Sequence, residues 1–182
     1  MKLIQPVLLA LAMAALAACG DHGSLSNTSI ANGAIRVSGD QVRLHAVGSP
    51  VASIDHTGEF SVDGQPVQVT PAQRALLLQY YAAATAVRVH GIETGKAGVA
   101  IAGEALKGAA ASIVSGGDDK SADARVQAQA DKVEQAAMKI CDDLAGIRAA
   151  QEQLAAALPA FKPYGGLIGE NAVDDCRKDN DN

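Results

Sequence analysis

The chain has 182 residues, a formal net charge of −5 and 48% hydrophobic residues, but only 3% aromatic residues and no tryptophan. A chain of this length is expected to form one domain, and its mild acidity gives it no electrostatic reason to bind nucleic acid or anionic lipid head groups. Alanine is abundant. Because small side chains bury little area each, the core should depend on close approach of helices.

Residues 1–18 have the pattern of a secretory signal peptide. Lys2 provides a positive charge near the start, and the apolar stretch that follows ends in small residues. The stretch is too short and wrongly flanked for a membrane-spanning helix. Leu16-Ala17-Ala18-Cys19 resembles the lipobox of bacterial lipoproteins, which implies that Cys19 is lipidated and becomes the first residue of the mature chain. A plain signal peptide with an incidental cysteine is the alternative.

Lipidation of Cys19 would hold the protein at the periplasmic face of a membrane. Gly20 follows the cysteine, where an Asp commonly retains Gram-negative lipoproteins in the inner membrane, so the outer membrane is favoured. Three acyl chains anchor a protein far better than one, since each buried methylene contributes about 0.8 kcal/mol. Residues 19–29 are polar and are expected to form a flexible tether.

Residues 30–69 show the period-two alternation of β-strands. Apolar residues alternate with polar neighbours from Ile35 to Ala46, and turn residues interrupt the pattern at short intervals. Asp63-Gly64 is suited to a type I′ hairpin, because both central residues of that turn need positive φ. The pattern predicts a small antiparallel β-meander whose inner face must be covered by another element.

A first helix is predicted from Thr70 to about Val114. Thr70 can cap it, Pro71 suits the first helical position and Gln73 completes a capping box. Its second half carries five glycines: Gly91, Gly95, Gly98, Gly103 and Gly108. Because a glycine inside a helix costs up to about 1 kcal/mol, we expect either that another backbone approaches closely there or that the helix is broken.

The second helix has the most regular pattern in the chain. One apolar series recurs every seven residues at Val126, Val133, Ile140, Ile147 and Leu154. A second series interleaves at the same period, at Ala130, Ala137, Leu144, Gln151 and Leu158. Such a seam predicts a long helix with coiled-coil packing. The short preceding loop favours an antiparallel helical hairpin over residues 70–164, although the seam would also suit a homo-oligomer.

Residues 165–182 are expected to form an irregular acidic tail. Once Cys19 is lipidated, Cys141 and Cys176 are the remaining cysteines. The periplasm is oxidising, so we predict a disulfide between them. It would close a loop of about 35 residues, which the chain-entropy account values at about 3.8 kcal/mol. Free or metal-bound thiols are the alternative.

Residues 97–116 are nearly long enough and apolar enough to span a bilayer. Glu104 and Lys107 lie in the middle of this segment, and each would cost about 2.5–3.5 kcal/mol there. The two residues are spaced as an ion pair on one helical turn. We therefore expect this segment to pack onto the second helix, with membrane insertion as the alternative.

No residue pattern indicates catalysis, a cofactor or a metal site. The segment from Gly91 to Ala97 departs from a phosphate-binding loop in its glycine spacing and in the residue that follows Lys96. The histidines lack metal-ligand spacing, and acyl-enzyme motifs are absent from the sequence. An enzyme would need a concave pocket that gathers several of His45, His56, His90, Glu93 and Lys96.

The stretch from Gly58 to Tyr81 resembles the YggN-like family of proteobacterial periplasmic proteins. The shared pattern is a glycine turn, a strand, a second glycine turn, a strand, and a helix that opens with Gln73-Arg74. Cys141 and the segment from Pro159 to Tyr164 also look like family features. The resemblance covers residues 35 to about 165 and implies a fold and a compartment. It transfers no active site, since the family has no established function. The lipobox and a shorter helical middle depart from the family pattern.

These observations predict an α+β fold, with a small antiparallel β-meander followed by a long antiparallel α-helical hairpin. The first hypothesis for function is a non-enzymatic envelope lipoprotein that acts through contacts with another protein. The second is a periplasmic carrier or chaperone that holds apolar cargo between its alanine- and glycine-rich helices. The third is an enzyme with an unrecognised site.

Overall fold

The computed structural model describes residues 27–115 and 120–180, with side chains described for residues 27–110 and 123–180. These residues form a six-stranded antiparallel sheet, two long helices that pack against each other, two 3₁₀ segments (Ala31–Gly33 and Pro159–Tyr164) and a short C-terminal helix. The predicted α+β fold, a β-meander followed by a helical hairpin, is confirmed. The signal peptide of residues 1–18 and the lipidation site Cys19 lie outside the described residues.

The sheet is a meander in which each strand pairs with the next one along the chain. Its strands are β1 (Asn27–Ile30), β2 (Ile35–Ser38), β3 (Gln41–Leu44), β4 (Ala52–Asp55), β5 (Phe60–Val62) and β6 (Gln65–Pro66). The turn between the last two strands is the predicted one, since Asp63 and Gly64 have φ values of 51° and 73°. Positive φ at both central residues is what a type I′ hairpin requires.

The sheet begins earlier than the sequence predicts. Residues 27–29 are predicted as part of the tether, but they pair with β2 in the register Asn27–Ser38, Thr28–Val37 and Ser29–Arg36. The alternation of buried and solvent-facing residues extends back through β1, because Ile30 is buried and Ser29 is exposed. The polar composition of this segment does not indicate a strand. It forms one because its backbone hydrogen-bonds with β2.

The two faces of the sheet differ in polarity. The inner face buries the side chains of Ile35, Val37, Val42, Leu44 and Ile54 completely. The outer face carries a row of polar residues that are neighbours across the strands, from Ser29 through Arg36, Arg43 and Ser53 to Ser61. An antiparallel sheet with one covered face and one solvated face shows this alternation.

Helix α1 (Pro71–Ser115) starts with the predicted capping box. The backbone N–H of Gln73 donates to Thr70 Oγ1 at 3.3 Å, and Gln73 Oε1 accepts from the backbone N–H of Thr70 at 2.8 Å. Pro71 occupies the first helical position, where its missing N–H leaves no hydrogen bond unmade. Gln73 also donates to the carbonyl of Ala157 at 2.7 Å, which joins this cap to the end of the partner helix.

Helix α2 (Lys120–Ala157) returns along α1, and the two form the predicted hairpin. The C-terminal part of the predicted seam is buried, with Ile147, Leu154 and Leu158 in the core. The N-terminal part is only half-buried, as at Val126 and Val133. The hairpin is therefore well packed at the end that covers the sheet and loosely packed at the other.

Four aromatic side chains meet where the sheet, α1 and the 3₁₀ segment Pro159–Tyr164 converge. The ring centroid of Phe161 lies 5.6 Å from Phe60, 5.7 Å from Tyr80 and 5.9 Å from Tyr164. The hydroxyl of Tyr164 donates to the carbonyl of Pro50 at 2.7 Å. The hydroxyl of Tyr80 has no hydrogen-bond partner among the described residues, and burial raises its pKa. Phe161 is the ring that joins all three elements.

The C-terminal residues differ from the predicted irregular tail. Ala172–Asn180 forms helix α3, which has acidic residues in its first turn and Arg177 and Lys178 in its last, as the helix dipole favours. Gln151, the one polar residue of the seam, is buried and exchanges two hydrogen bonds with the backbone of Ile168, at 3.0 and 3.1 Å. These bonds hold the segment before α3 against α2.

Phe161 should contribute more to stability than any aromatic residue outside this cluster. We expect Phe161→Ala to lower the free energy of unfolding by about 3–5 kcal/mol, because it opens a cavity between three elements. Tyr81→Ala is the control, since Tyr81 is only half-buried. Urea unfolding followed by circular dichroism measures both variants. Equal losses in the two variants would contradict the assigned role of Phe161.

Candidate functional site

The two long helices extend well beyond the core. Among the described side chains, the last buried one of α1 is Val87 and the first buried one of α2 is Ala136. Residues 91–115 therefore continue for about 37 Å past the core, at the helical rise of about 1.5 Å per residue. We call residues 91–115 of α1 and 120–135 of α2 the arm.

The arm displays the same face of α1 that covers the sheet. Leu77, Tyr80, Ala84 and Val87 are buried, and their spacing of three and four residues places them on one side of the helix. The same spacing continues into the arm, where its positions are Gly91, Gly95, Gly98 and Ala102. Beyond Val87 this side of α1 does not cover the sheet, and small residues occupy it.

Neither of the two roles predicted for the glycines of α1 is found at Gly91, Gly95, Gly98 or Gly103. Helix α1 is continuous from Pro71 to Ser115, so it is not broken. A Cβ atom built on Gly91, Gly95, Gly98 or Gly103 would meet nothing within 4 Å, so no backbone approaches closely there either. The close approach occurs instead at Gly146 of α2, where a Cβ would lie 3.2 Å from that of Ala83.

Large apolar side chains also remain exposed on the arm. Val99 is 75% exposed and Leu106 is 72% exposed. Single apolar residues on a surface are common. Val99 and Leu106 are seven residues apart, so they lie on the same side of α1, three and four residues from the small residue Ala102. No helix among the described residues is long and apolar enough to cross a membrane.

Polar contacts hold the two helices of the arm together. Glu104 accepts hydrogen bonds from Lys107 Nζ and from Arg125 Nε, both at 2.8 Å. Just beyond the α2 part of the arm, Lys139 Nζ lies 3.8 Å from Glu93 Oε2. The predicted pairing of Glu104 with Lys107 is confirmed, and Arg125 extends it to the facing helix. The hydrogen bonds from Lys107 and Arg125 lower the pKa of the Glu104 carboxyl.

A histidine and a carboxylate meet at the base of the arm. His90 Nδ1 lies 2.6 Å from Asp143 Oδ2, and both side chains are half-buried. The two residues are 53 positions apart in the sequence, and no motif connects them. Such a pair can orient an imidazole for proton transfer, but it can equally join two helices. No described cleft adjoins His90 and offers a nucleophile or a substrate pocket.

The five residues named for an enzyme site are spread over the fold. His45 follows β3, His56 lies in the turn after β4, and the other three lie along α1: His90, Glu93 and Lys96. Each described cleft contains at most one of the five, with His45 beside the sheet and Glu93 between the helices. The described residues contain no group of three or more potential metal ligands. The five residues are therefore not gathered in any one of these described clefts.

The predicted disulfide is present in the structure. Cys141 of α2 and Cys176 of α3 are bonded, with their Cα atoms 5.7 Å apart. Asn180 donates to the carbonyl of Cys176 at 2.7 Å, and Arg177 donates to Asp142 at 3.1 Å. The disulfide thus fastens α3 to the middle of α2, close to the point where the arm leaves the core.

A family model described as a protein of unknown function (DUF2884) matches residues 30–124, just over half of the chain. The chain belongs to this family. The match spans the sheet from the end of β1 and the whole of α1. Comparison with curated proteins and with solved structures gives no significant match. Membership of the family is consistent with the resemblance found in the sequence and assigns no activity.

The ion pairs of Glu104 make one end of the arm sensitive to acid. The folded pKa of Glu104 lies below its ordinary value of 4.5. The pairs therefore stabilise the arm above the unfolded pKa, and this contribution is lost as the pH falls through the folded pKa. We expect a ¹³C NMR titration of the Glu104 carboxyl to give a lowered pKa that rises towards 4.5 in Lys107→Gln/Arg125→Gln. The same pKa in the variant and in the unchanged chain would refute these pairings.

Proposed function

We propose that this protein is a lipid-anchored, non-enzymatic protein of the bacterial envelope that acts by binding another protein through its arm. In this proposal Cys19 carries the lipid, and the domain lies at the periplasmic face of the outer membrane. The proposal also includes membership of the YggN-like group of periplasmic proteins. The observation that carries it is the arm itself, a helical projection with apolar side chains exposed far from the core.

The sequence supports the anchor and the compartment. Leu16-Ala17-Ala18-Cys19 has the lipobox pattern after a short apolar stretch. The disulfide between Cys141 and Cys176 suits an oxidising compartment, because such bonds rarely persist in the cytosol. Neither argument depends on the family match.

The arm supports binding to a protein. Folding does not need residues 91–115 for the core, since none of their described side chains is buried. An extended helical face with i, i+3 and i+4 spacing is a common way to recognise a helix or a groove. The small residues at Gly91, Gly95 and Gly98 would let a partner approach the backbone, and Val99 and Leu106 would provide apolar contacts.

The same surface supports a second candidate function. A carrier of apolar cargo would also expose Val99 and Leu106 beside a smooth helix face. The two functions differ in what covers the arm in the cell. A protein partner can be captured reproducibly by crosslinking from the arm. A cargo lipid would instead be found bound to the purified protein, and crosslinking would capture no protein.

Site-specific photo-crosslinking in cells tests the proposal. A photoreactive residue placed at Val99 or Leu106 should give the same protein adduct, because both positions lie on the arm. Val47 is the matched control, since it is a fully exposed apolar residue in the loop after β3. We expect no such adduct from Val47, and we expect Cys19→Ala to remove the adducts at Val99 and Leu106 by releasing the protein from the membrane.

The outcomes separate the hypotheses. Equal adducts from Val47 and from the arm, or no reproducible protein adduct from the arm, would contradict the proposed contact. If crosslinking gives no protein adduct and native mass spectrometry shows bound lipid, the carrier function is supported instead. An adduct with a second copy of this chain would mean that the arm serves self-association. Adducts that persist unchanged in Cys19→Ala would separate the contact from the anchor.

A further inference from the structure

The outer face of the sheet contains a positively charged cleft. Arg36 of β2 and Arg43 of β3 face each other across the strands, and Ser29 of β1 is the next residue in the same row. The cleft has a volume of about 440 Å³, and it is also lined by Asn27 and His45. No Asp or Glu is among the described residues that line it.

Without a ligand, the placement of these two arginines opposite each other lowers the stability of the sheet. Like charges directly opposite each other on one face of a sheet are destabilising. The other five arginines each donate a hydrogen bond to an oxygen atom: Arg74, Arg88, Arg125, Arg148 and Arg177. Within the described part of the chain, Arg36 and Arg43 have neither a carboxylate nor a carbonyl oxygen as a partner.

Other polar groups surround the two arginines. His45 lines the same cleft, and its Nε2 atom is buried without a hydrogen-bond partner among the described residues. The guanidinium of Arg36 lies close to Ser29 and Gly33. A Cβ atom built on Gly33 would come within 3.6 Å of Arg36 Nη2 and 3.5 Å of Ser29 Oγ. The turn after β1 therefore leaves space for the guanidinium beside a hydroxyl.

We propose that this cleft binds an oxyanion of the phosphate class between Arg36 and Arg43. A tetrahedral phosphate offers several oxygens to two planar guanidinium groups, each of which can donate two parallel hydrogen bonds. It would also neutralise the repulsion between the arginines. The overall charge of −5 conceals this site, since the described residues that line the cleft include two arginines and no carboxylate. The site does not depend on the function proposed for the arm.

Two sources can provide this chemistry, namely a free phosphate monoester or inorganic phosphate, and the phosphodiester of a lipid head group. Asn27, at the margin of the cleft, is eight residues after Cys19. A chain of that length reaches at most about 28 Å. If Cys19 is lipidated, the cleft lies within reach of the membrane surface, which makes the head group available to it.

Titration of the full chain in a non-ionic detergent tests the site with two probes. Inorganic phosphate represents the free ion, and glycerophosphoglycerol represents a phospholipid head group without its acyl chains. The Arg36 and Arg43 Nε–H signals in ¹H–¹⁵N NMR should shift saturably with at least one probe. Arg36→Gln/Arg43→Gln should weaken that binding about tenfold or more, because each charge-assisted hydrogen bond contributes at least that factor.

Lys96→Gln/Lys162→Gln is the matched control, since it removes two exposed positive charges elsewhere and should leave binding unchanged. The thermal midpoint of Arg36→Gln/Arg43→Gln should stay the same or rise, because a repulsive pair is removed. A lower midpoint would assign the arginines a structural role. Binding of the phosphodiester alone identifies a lipid source, and binding of inorganic phosphate alone identifies a free ion. Lack of saturable binding of both probes, or equal weakening in the lysine control, would overturn the proposal.

Discussion

The contact of Phe161 with Phe60, Tyr80 and Tyr164 is the interaction on which the rest of the fold depends. The chain has five aromatic residues, and four of them are in this cluster. Each aromatic side chain buries much more area than an alanine. The cluster joins the sheet, α1 and the segment after α2, so it fixes how the hairpin lies across the sheet. Stability is therefore concentrated at one end of the molecule.

This concentration determines the character of the opposite end. Because the bulky residues lie at the end of the hairpin that covers the sheet, the arm has mainly small and singly placed apolar residues. Its helices are joined by ion pairs such as Glu104 with Arg125. Long helices are stabilised mainly by packing of an apolar face. In the arm that face is left largely without such packing, which is why we propose it as the contact with a partner. The disulfide between Cys141 and Cys176 joins α3 to α2 near the point where the arm begins.

The sequence predicts the regular elements well because their signals are local. A few adjacent residues are enough to recognise the capping box at Thr70 and Gln73 and the turn at Asp63-Gly64. The disulfide follows from the number of cysteines that remain once Cys19 is set aside. The errors concern contacts between distant residues. Residues 27–29 form a strand because they pair with β2, and α3 is held in place by the disulfide to Cys141. Both segments are polar in composition, so the local sequence does not indicate a strand or a helix there. The cross-strand meeting of Arg36 and Arg43 appears only once the register is known.

Hydrogen exchange along α1 in the free protein tests most directly whether the core ends near Val87. We predict that backbone amides of residues 77–87 exchange only through global unfolding, because this part of α1 buries Leu77, Tyr80, Ala84 and Val87 in the core. Amides of residues 91–110 should exchange much faster through local opening of the arm. Equal protection along the whole of α1 would contradict a core that ends near Val87, since it would mean that the arm belongs to the same cooperative unit.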